Sequence, residues 1–291
     1  MSVDSQMLPS CGACLPSPAL WATYGAGGLA NVAQLLLALP ALPAPRVGRR
    51  VTSAGGSAVW PRDDGYDDRM QPSPPRAPKL PSRLEDGPPA PEELEDSEQC
   101  EGRLLRGDEV ASVGRSVSDW RGCRFDGVRL VEHESERIAF SDVVLVQGDI
   151  SAWLARSCSV QRAHFTGARC PGARWWESSL TDVLFEHCDL RLASFRFSRL
   201  ERVRFMRCAM QESHFESATL AHVSFEGCDL READFEGASC SDTAIRSCDL
   251  EGLRGATGLR GATMLLSDVV GIAPSLAMAL GIEVISGEDE T

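Results

Sequence analysis

Residues 188–237 read CDLRLASFRFSRLERVRFMRCAMQESHFESATLAHVSFEGCDLREADFEG, and from Leu190 onward every fifth residue is a large apolar side chain. The same phase extends in both directions, because every fifth residue from Trp120 to Leu250 is apolar except Ser135. The residue two positions before each apolar centre is small or β-branched throughout residues 188–237. The other three residues of each five are mostly Asp, Glu, Arg, Ser or Gly.

A five-residue period matches neither the 3.6-residue period of an α-helix nor the two-residue period of a strand. It indicates a chain that turns a corner every five residues, with one bulky and one small side chain pointing inward on each side. An aspartate directly before the centre suits a side chain that accepts hydrogen bonds from nearby turn amides. Such aspartates are Asp189, Asp229, Asp234 and Asp249.

The triplet Cys-Asp-Leu at 188–190, 228–230 and 248–250, with ADFEG at 233–237 and AHFTG at 163–167, resembles the A(D/N)LXX motif of pentapeptide-repeat proteins. The resemblance implies a right-handed quadrilateral parallel β-helix in which four repeats make one coil. It also implies that members of the family act through their surfaces, some of them as mimics of B-DNA that bind DNA gyrase.

Residues that lie four repeats apart support the four-sided coil independently. Positions 185, 205, 225 and 245 are Phe, Phe, Phe and Ile, and positions 190, 210, 230 and 250 are Leu, Met, Leu and Leu, each with Cys two residues before. The lattice from Trp120 to Leu250 spans about 6.5 such coils. We therefore predict an all-β fold, a right-handed quadrilateral parallel β-helix with a disordered N-terminal extension and a short C-terminal helical cap.

One column of the lattice is irregular. At Trp153 and Ala155 the large and small positions are exchanged, which predicts that Trp153 fills the space beneath Trp175. His133 and Ser135 have no such compensation. We expect a bulge or loop there.

The composition of the chain predicts its division into segments. Residues from Pro61 to Gln99 are rich in Asp, Glu, Pro and Arg and cannot bury enough apolar surface to offset the entropy of ordering them. The change in composition at Pro61 leads to the hypothesis that Met70 is the true start and that the preceding residues come from an over-long gene prediction. The expected segments are a disordered 1–69, an acidic proline-rich linker and entry at 70–117, the β-helix at 118–255, a helical cap or dimerisation segment at 256–284, and a tail at 285–291.

After Gly252 the five-residue phase fades, and apolar residues from Leu266 to Leu280 fall at helical spacing. We expect Ser267 to be the N-cap and Pro274 to kink or split the helix. The last coil exposes unpaired strand backbone, so this segment either covers its own coil or meets a second copy. The family resemblance implies a homodimer through such C-terminal elements.

The chain is acidic, with 42 Asp and Glu against 29 Lys and Arg and a formal net charge of −13. Direct binding to nucleic acid or to an anionic membrane is therefore disfavoured. The apolar run 29–44 has no preceding Lys or Arg and contains Pro40 and Pro43, so it is a poor signal peptide and a poor membrane helix. We expect a cytoplasmic protein with neither a membrane nor a nucleic acid as partner.

Cysteine and histidine are the residues most able to supply chemistry. Eight of the 11 cysteines lie at inward positions of the lattice, where a thiol acts as a small buried hydrophobe. Cys11 and Cys14 form a lone CxxC with no second pair of ligands, and no two of the four lattice histidines lie four repeats apart. We predict no catalytic residue, no cofactor and no metal site, and keep a Cys/His metal protein or enzyme as an alternative.

Charge is distributed unevenly along the coil. Residues 208–252 hold ten acids against two arginines, a net of −8, whereas residues 188–207 hold six arginines against two acids, a net of +4. An ordinary solvated surface explains such runs, and so does an acidic docking surface for a basic partner. The interface candidates are Glu226, Asp229, Glu232, Asp234 and Glu236, together with the outward aromatic residues Trp176 and Phe197.

The leading functional hypothesis is a non-catalytic interaction protein that presents charged faces to a protein partner. A DNA mimic that binds DNA gyrase is the specific alternative that the family resemblance implies. A structural or self-assembling protein is the other alternative.

Overall fold

The computed structural model describes residues 72–90, 98–108 and 117–285. The disorder expected for 1–69, the hypothesis about Met70 and the CxxC motif lie outside these residues. No helix of the described ranges is long and apolar enough to cross a membrane.

The described chain winds into an all-parallel β-solenoid of about 8 turns, which confirms the predicted fold class. Except in the first and last strand pairs, where the offset is 18 or 19 residues, strand residues pair with those four repeats later, as Leu180 with Leu200 and Phe185 with Phe205. Four five-residue sides therefore make one coil. We number the faces by their buried centres in one coil: Leu180 on face 1, Phe185 on face 2, Leu190 on face 3 and Phe195 on face 4.

Faces 1 and 2 carry most of the strands. Four long strands cover both of these faces: β7 (Ala139–Val146), β9 (Ser159–Thr166), β11 (Ser179–Glu186) and β12 (Arg199–Met206). Face 1 also has β2 (Gln99–Glu101), β4 (Asp119–Arg121), β13 (Thr219–Ala221) and β15 (Ser239–Ser241). Face 2 also has β1 (Glu85–Asp86), β3 (Arg103–Arg106), β5 (Arg124–Asp126), β14 (Ser224–Glu226), β16 (Thr243–Arg246) and β17 (Ala262–Met264).

Faces 3 and 4 are built with shorter pairing. Face 4 has β6 (Glu134–Glu136), β8 (Leu154–Arg156) and β10 (Arg174–Trp176), and its later coils are joined by single bridges such as Ser194 with His214. Face 3 is held by single bridges alone, such as Asp189 with Ala209. These two faces therefore consist largely of turns.

Each corner of the coil has the same backbone conformation at the same position of the five-residue repeat. The residue two positions after each centre has a left-handed backbone, for example His187, Leu192 and Phe197 with φ of 53°, 57° and 58°. Residues other than glycine rarely adopt this conformation, so the stacked coils over-determine it. The predicted role of aspartate before the centre is confirmed, because Asp189, Asp229, Asp234 and Asp249 each accept a hydrogen bond from the amide two residues later.

Two columns of stacked phenylalanines fill the core. Phe185, Phe205 and Phe225 stack at centroid distances of 5.1 and 5.0 Å, and the neighbouring column of Phe195, Phe215 and Phe235 stacks at 5.1 and 4.8 Å. All six side chains are fully buried. Each contributes about 1.5–3 kcal/mol from burial alone.

The small inward position is often a cysteine or a serine, and its side chain donates a hydrogen bond to a backbone carbonyl of the preceding coil. Sγ of Cys208 donates to the carbonyl oxygen of Phe185 at 3.5 Å, and Oγ of Ser178 donates to that of Ala155 at 3.3 Å. Cys188 and Cys228 repeat the contact in their own coils. Burial confirms that these cysteines are packing residues.

The β-helix begins earlier than Ser118, the boundary predicted from the five-residue phase. Cys100 pairs with Trp120 and Leu105 pairs with Phe125, in both cases one coil apart. Cys100 and Leu105 continue the five-residue phase of apolar centres, but Arg115 interrupts it, so the phase alone did not indicate these first coils. The coil count of about 6.5 was too low for the same reason.

The bulge predicted at His133 and Ser135 is wrong. β6 pairs in register with β8, and Ser135 is buried opposite Ala155. The compensation that the sequence concealed is a hydrogen bond, since Nε1 of Trp153 donates to Oγ of Ser135 at 3.0 Å. The other prediction is confirmed, because Trp153 packs edge-on against Trp175 at 6.1 Å.

The C-terminal segment covers the last coil. A 3-10 turn at Ala256–Leu259 leads through β17 into α1 (Leu266–Gly271) and α2 (Ala273–Ala279), which confirms the predicted split near Pro274. Ser267 is not the N-cap, because the helix already begins at Leu266 and Leu265 is its cap without a side-chain hydrogen bond. Ile272 is 2% exposed and packs against the core.

Candidate functional site on the corners of the β-helix

The five acidic candidates lie on three different faces of the coil. Glu226 lies on face 2, Asp229 and Glu232 flank the centre of face 3, and Asp234 and Glu236 flank the centre of face 4. They share one end of the rod but do not form one flat surface. Their availability to a partner depends on the contacts that each side chain makes.

Glu226 is closed by a cross-coil ion pair. Nη2 of Arg204, one coil earlier, donates to Oε2 of Glu226 at 2.6 Å, and both side chains are largely buried. A mostly buried carboxylate with a buried arginine partner is a structural group, because removing either member leaves an uncompensated charge. Glu226 therefore stabilises the coil and presents no free charge.

Asp229 and Asp234 are also engaged by their own surroundings. Arg231 donates to both carboxylate oxygens of Asp229, at 2.9 and 2.7 Å, and this hydrogen bond holds the pKa of Asp229 below its usual range. Asp234 accepts the amide of Glu236 at 2.9 Å and lies 3.6 Å from Nε of Arg254. The carboxylates of both aspartates are therefore engaged mainly in contacts that stabilise their own turns.

Glu232 and Glu236 are different, because both are exposed and neither side chain has a hydrogen bond or ion pair within the described ranges. Glu212, also exposed, occupies the position of Glu232 one coil earlier. Adjacent coils are about 4.8 Å apart, so Glu212 and Glu232 stack with like charge, while Glu236 lies on the next face of the same coil as Glu232. We call Glu212, Glu232 and Glu236 the acidic corner.

The basic segment before the acidic end is largely paired. Arg196 reaches Glu216 one coil later, as Arg204 reaches Glu226. Burial alone would raise the pKa of Glu216, but the hydrogen bonds from Arg196 and from the amide of Glu216, together with the charge of Arg196, outweigh it and lower that pKa. The charge reversal along the axis that the sequence indicates is therefore partly cancelled by ion pairs between its two segments.

The aromatic candidates lie on face 4. Phe197 is 64% exposed, at a left-handed corner. Trp176 is half-buried: its Nε1 donates to Oγ of Ser194 at 2.9 Å, and the Arg174 guanidinium lies 5.6 Å from its ring centroid. No ring contact joins Trp176 to Phe197 in the described structure. Met206, which the lattice places outward, is 4% exposed.

Three of the five histidines lie beside carboxylates and are only partly exposed. His164, His214 and His222 lie 3.3, 3.4 and 2.5 Å from Glu186, Glu216 and Asp242. Among the residues that the structure describes, no three His, Cys, Asp or Glu side chains are placed to hold a metal ion. Burial raises the pKa of the Cys170 thiol, so this sulfur is held in its unreactive form.

A second surface was missed from the sequence. Residues 72–81, PSPPRAPKLP, belong to the segment whose composition predicts too little apolar burial to offset the entropy of ordering it, but they form a strap along the coil. The amide of Lys79 donates to Oδ1 of Asp142 at 2.9 Å, and the amide of Arg76 donates to Oδ1 of Asp182 at 3.1 Å. A proline at every third position, 72, 75, 78 and 81, was the available signal.

The strap lies over the corner between faces 1 and 2. The residues of that corner alternate in charge from coil to coil, as Asp142, Arg162, Asp182 and Arg202. Arg162 donates to Asp142 at 2.7 and 2.6 Å, and Arg202 donates to Asp182 at 2.7 and 3.2 Å. Burial would raise the pKa of Asp142, but the hydrogen bonds from Arg162 and the Lys79 amide hold it below its usual range.

Comparison with known proteins agrees with this geometry. A family model described as a pentapeptide repeat region matches residues 178–254, and a second, for eight pentapeptide repeats, matches residues 158–196. Together the two models identify residues 158–254 as a region of pentapeptide repeats. A search of curated proteins found no similar sequence.

Solved structures of pentapeptide-repeat proteins match part of the chain. QnrB1, a plasmid-mediated fluoroquinolone resistance protein, is 18% identical over 56% of this chain and 100% of its own, with a TM-score of 0.29. HetL, involved in heterocyst differentiation regulation in Nostoc sp. strain PCC 7120, is 16% identical over 57% and 84%, with a TM-score of 0.28. A pentapeptide repeat protein of the Arabidopsis thaliana thylakoid lumen is 24% identical over 39% and 72%, with a TM-score of 0.20. At these identities and TM-scores the matches carry no argument about function.

Proposed function

We propose that this protein is a non-catalytic binding protein whose acidic corner docks on a basic surface of a partner protein. The observation that carries the proposal is the contrast within the acidic end. Glu226, Asp229 and Asp234 are used by internal contacts, whereas Glu232 and Glu236 are exposed without a partner in the described residues. Stacked like charges cost free energy, and a basic partner removes that cost.

The cavities of the described structure support a binding role over catalysis. The interior cavity between Trp120 and Phe165 is apolar and has a volume of about 40 Å³. A depression of about 520 Å³ at the C-terminal end is lined by no Asp, Glu, His or Cys. Small-molecule sites are clefts of about 300–1,000 Å³ with convergent polar groups. Neither cavity combines that size with a candidate acid, base or nucleophile.

The test is affinity capture with the full chain from native lysate at two salt concentrations. Glu212→Gln, Glu232→Gln and Glu236→Gln are combined in one variant. The matched control combines Glu132→Gln, Glu134→Gln and Glu136→Gln, which remove the same charge from exposed positions at the other end of the rod. We expect a salt-sensitive partner that the control keeps and the corner variant loses. Equal retention by all three proteins contradicts the proposal.

DNA mimicry demands more than a local acidic corner. A mimic of a duplex needs unpaired negative charge along its length. Here the pairs Arg196–Glu216 and Arg204–Glu226 neutralise acids in the middle of the rod. We therefore favour a local docking corner, and a DNA gyrase subunit in the capture, with inhibition of supercoiling by the wild type and not by the corner variant, would restore mimicry.

Self-association is a second candidate, and the C-terminal segment supports it. Its exposed large apolar side chains are Leu266, Val269, Val270, Met278, Leu280, Ile282, Val284 and Ile285. Their arrangement beside the last strand suits a contact with a second copy. Light scattering of the full chain and of a Leu266→Glu, Met278→Glu variant tests it: a dimer that the variant loses supports a homodimer, and a wild-type monomer removes it.

A further inference from the structure

The spacing of the strap's bonded amides matches that of a polyproline II helix that contacts every second coil. Asp142 and Asp182 are two coils apart, about 9.6 Å at 4.8 Å per coil. The amides that they bind, at Lys79 and Arg76, are three residues apart, about 9.3 Å at the 3.1 Å rise of polyproline II. The two spacings match within a few tenths of an ångström, so the coil and the strap share a repeat.

The alternation of charge explains why the register is two coils and not one. Arg162 and Arg202 have no acceptor to offer an amide, whereas Asp142 and Asp182 accept one each. Only a ligand with a free N–H at every third residue can donate hydrogen bonds to both Asp142 and Asp182. A polyproline II segment has this property, because its backbone makes no internal hydrogen bonds.

The side chains of the strap follow the same period. Pro72, Pro75 and Pro78 are buried, and the residues between them are exposed or half-buried. Pro81 is itself exposed, but it lies against the next corners along the rod, where a Cβ added to Gly122 would come within 2.9 Å of its Cδ. Every third residue of the strap therefore packs on the coil, and the glycine leaves room for the last of them.

The coil surface is shaped for an apolar cover. Val144 and Leu184 follow the two aspartates by two residues and alternate with the inward residues of their strands, so they point outward. Nevertheless Val144 is 7% exposed and Leu184 is fully buried. Apolar outward residues beside carboxylate acceptors are what a proline-rich, basic peptide requires of its groove.

We propose that the corner of Asp142 and Asp182 is a docking groove for basic polyproline II peptides, and that residues 72–81 are a resident occupant which such a segment of a partner protein can displace. The ligand class follows from the strap, in which Arg76 and Lys79 each come directly after a buried proline. The recognised pattern is Pro-basic-x-Pro-basic-x-Pro. This groove is separate from the acidic corner and does not depend on its role.

The experiment uses the full chain and a labelled peptide with the sequence PSPPRAPKLP. A variant with Pro75→Asp and Pro78→Asp places carboxylates against the aspartate column and releases the strap. Hydrogen exchange by mass spectrometry first compares residues 72–81 in both proteins, and circular dichroism checks that the coil is intact. We expect protection in the wild type and loss of protection in the variant.

Peptide binding is then measured by fluorescence anisotropy. We expect the released variant to bind the peptide at least tenfold more tightly than the wild type, whose groove is occupied. A peptide with proline at the positions of Arg76 and Lys79 lacks both donors and should bind at least tenfold more weakly. A peptide with proline at the position of Ala77, whose amide makes no hydrogen bond in the described structure, should keep its affinity.

Two results overturn the proposal. One is exchange of residues 72–81 at the free-peptide rate in the wild type, which shows that the strap is not held. The other is a released strap on an intact coil that still does not bind the peptide, or binds the two proline-substituted peptides equally well.

Discussion

Phe215 lies at the centre of the aromatic core, and its replacement by alanine tests how the coils hold together. Its ring stacks on Phe195 at 5.1 Å and on Phe235 at 4.8 Å, and it meets Phe205 and Phe225 edge-on at 6.2 and 5.6 Å. The side chain is fully buried. A stacked solenoid cannot collapse around such a gap without breaking its strand register.

The magnitude follows from this environment. Phenylalanine-to-alanine changes in cores cost about 3–5 kcal/mol, and the cost is highest where the site cannot relax. Four ring contacts from two columns are lost together, so we expect a cost of about 4–5 kcal/mol, in the upper part of that range. The matched control is Phe197→Ala, because Phe197 is 64% exposed and the change should cost less than about 1 kcal/mol.

The assay is equilibrium unfolding in guanidinium chloride, followed by far-ultraviolet circular dichroism at one protein concentration. Phe215→Ala should lower the unfolding midpoint far more than Phe197→Ala does. Equal shifts of the midpoint, or a loss of stability for Phe215→Ala as small as that of an exposed side chain, would refute the stacked core.

Two further predictions concern the C-terminal cover of the coil and the corner beneath the strap. Gly258→Ala should destabilise the protein, because the new Cβ would lie 2.0 Å from the carbonyl oxygen of Phe235. Gly271→Ala should be tolerated, because no atom lies within 4 Å of its new Cβ. Thermal unfolding of the two variants compares them. Asp142→Asn should cost about 1–3 kcal/mol at pH 7, because the carboxylate accepts charge-assisted hydrogen bonds from Arg162. Since folding lowers the pKa of Asp142, this contribution is complete above about pH 4 and is lost as the pH falls through the folded-state pKa, so denaturation curves of the two proteins should converge near pH 2.

The coil was predictable because its signal is periodic and does not depend on side-chain geometry. Apolar centres such as Phe185 and Phe205 recur with a period of five residues and align again four repeats later, and they pair as expected. The start of the coil was not found, because Arg115 breaks the phase although Cys100 and Leu105 follow it. A single interruption is enough to hide a coil from a strict periodic search.

The candidate sites were less predictable, because they depend on which side chains pair. Composition alone indicates that Glu226 and Glu232 are equally available to a partner. In the structure, however, Arg204 in the preceding coil forms an ion pair with Glu226. The strap was missed for another reason: acidic, proline-rich composition is typical of disorder, and the coincidence of a three-residue period with two coils is visible only in the structure.

The most direct test of the proposed function is the affinity of the captured partner for three purified proteins, measured by calorimetry over a range of salt concentrations. The proteins are the wild type, the variant with Glu212, Glu232 and Glu236 replaced by glutamine, and the charge-matched control at Glu132, Glu134 and Glu136. The proposal predicts tight, salt-sensitive binding by the wild type and the control, and weaker, less salt-sensitive binding by the corner variant. The same affinity and the same salt dependence for all three would contradict it.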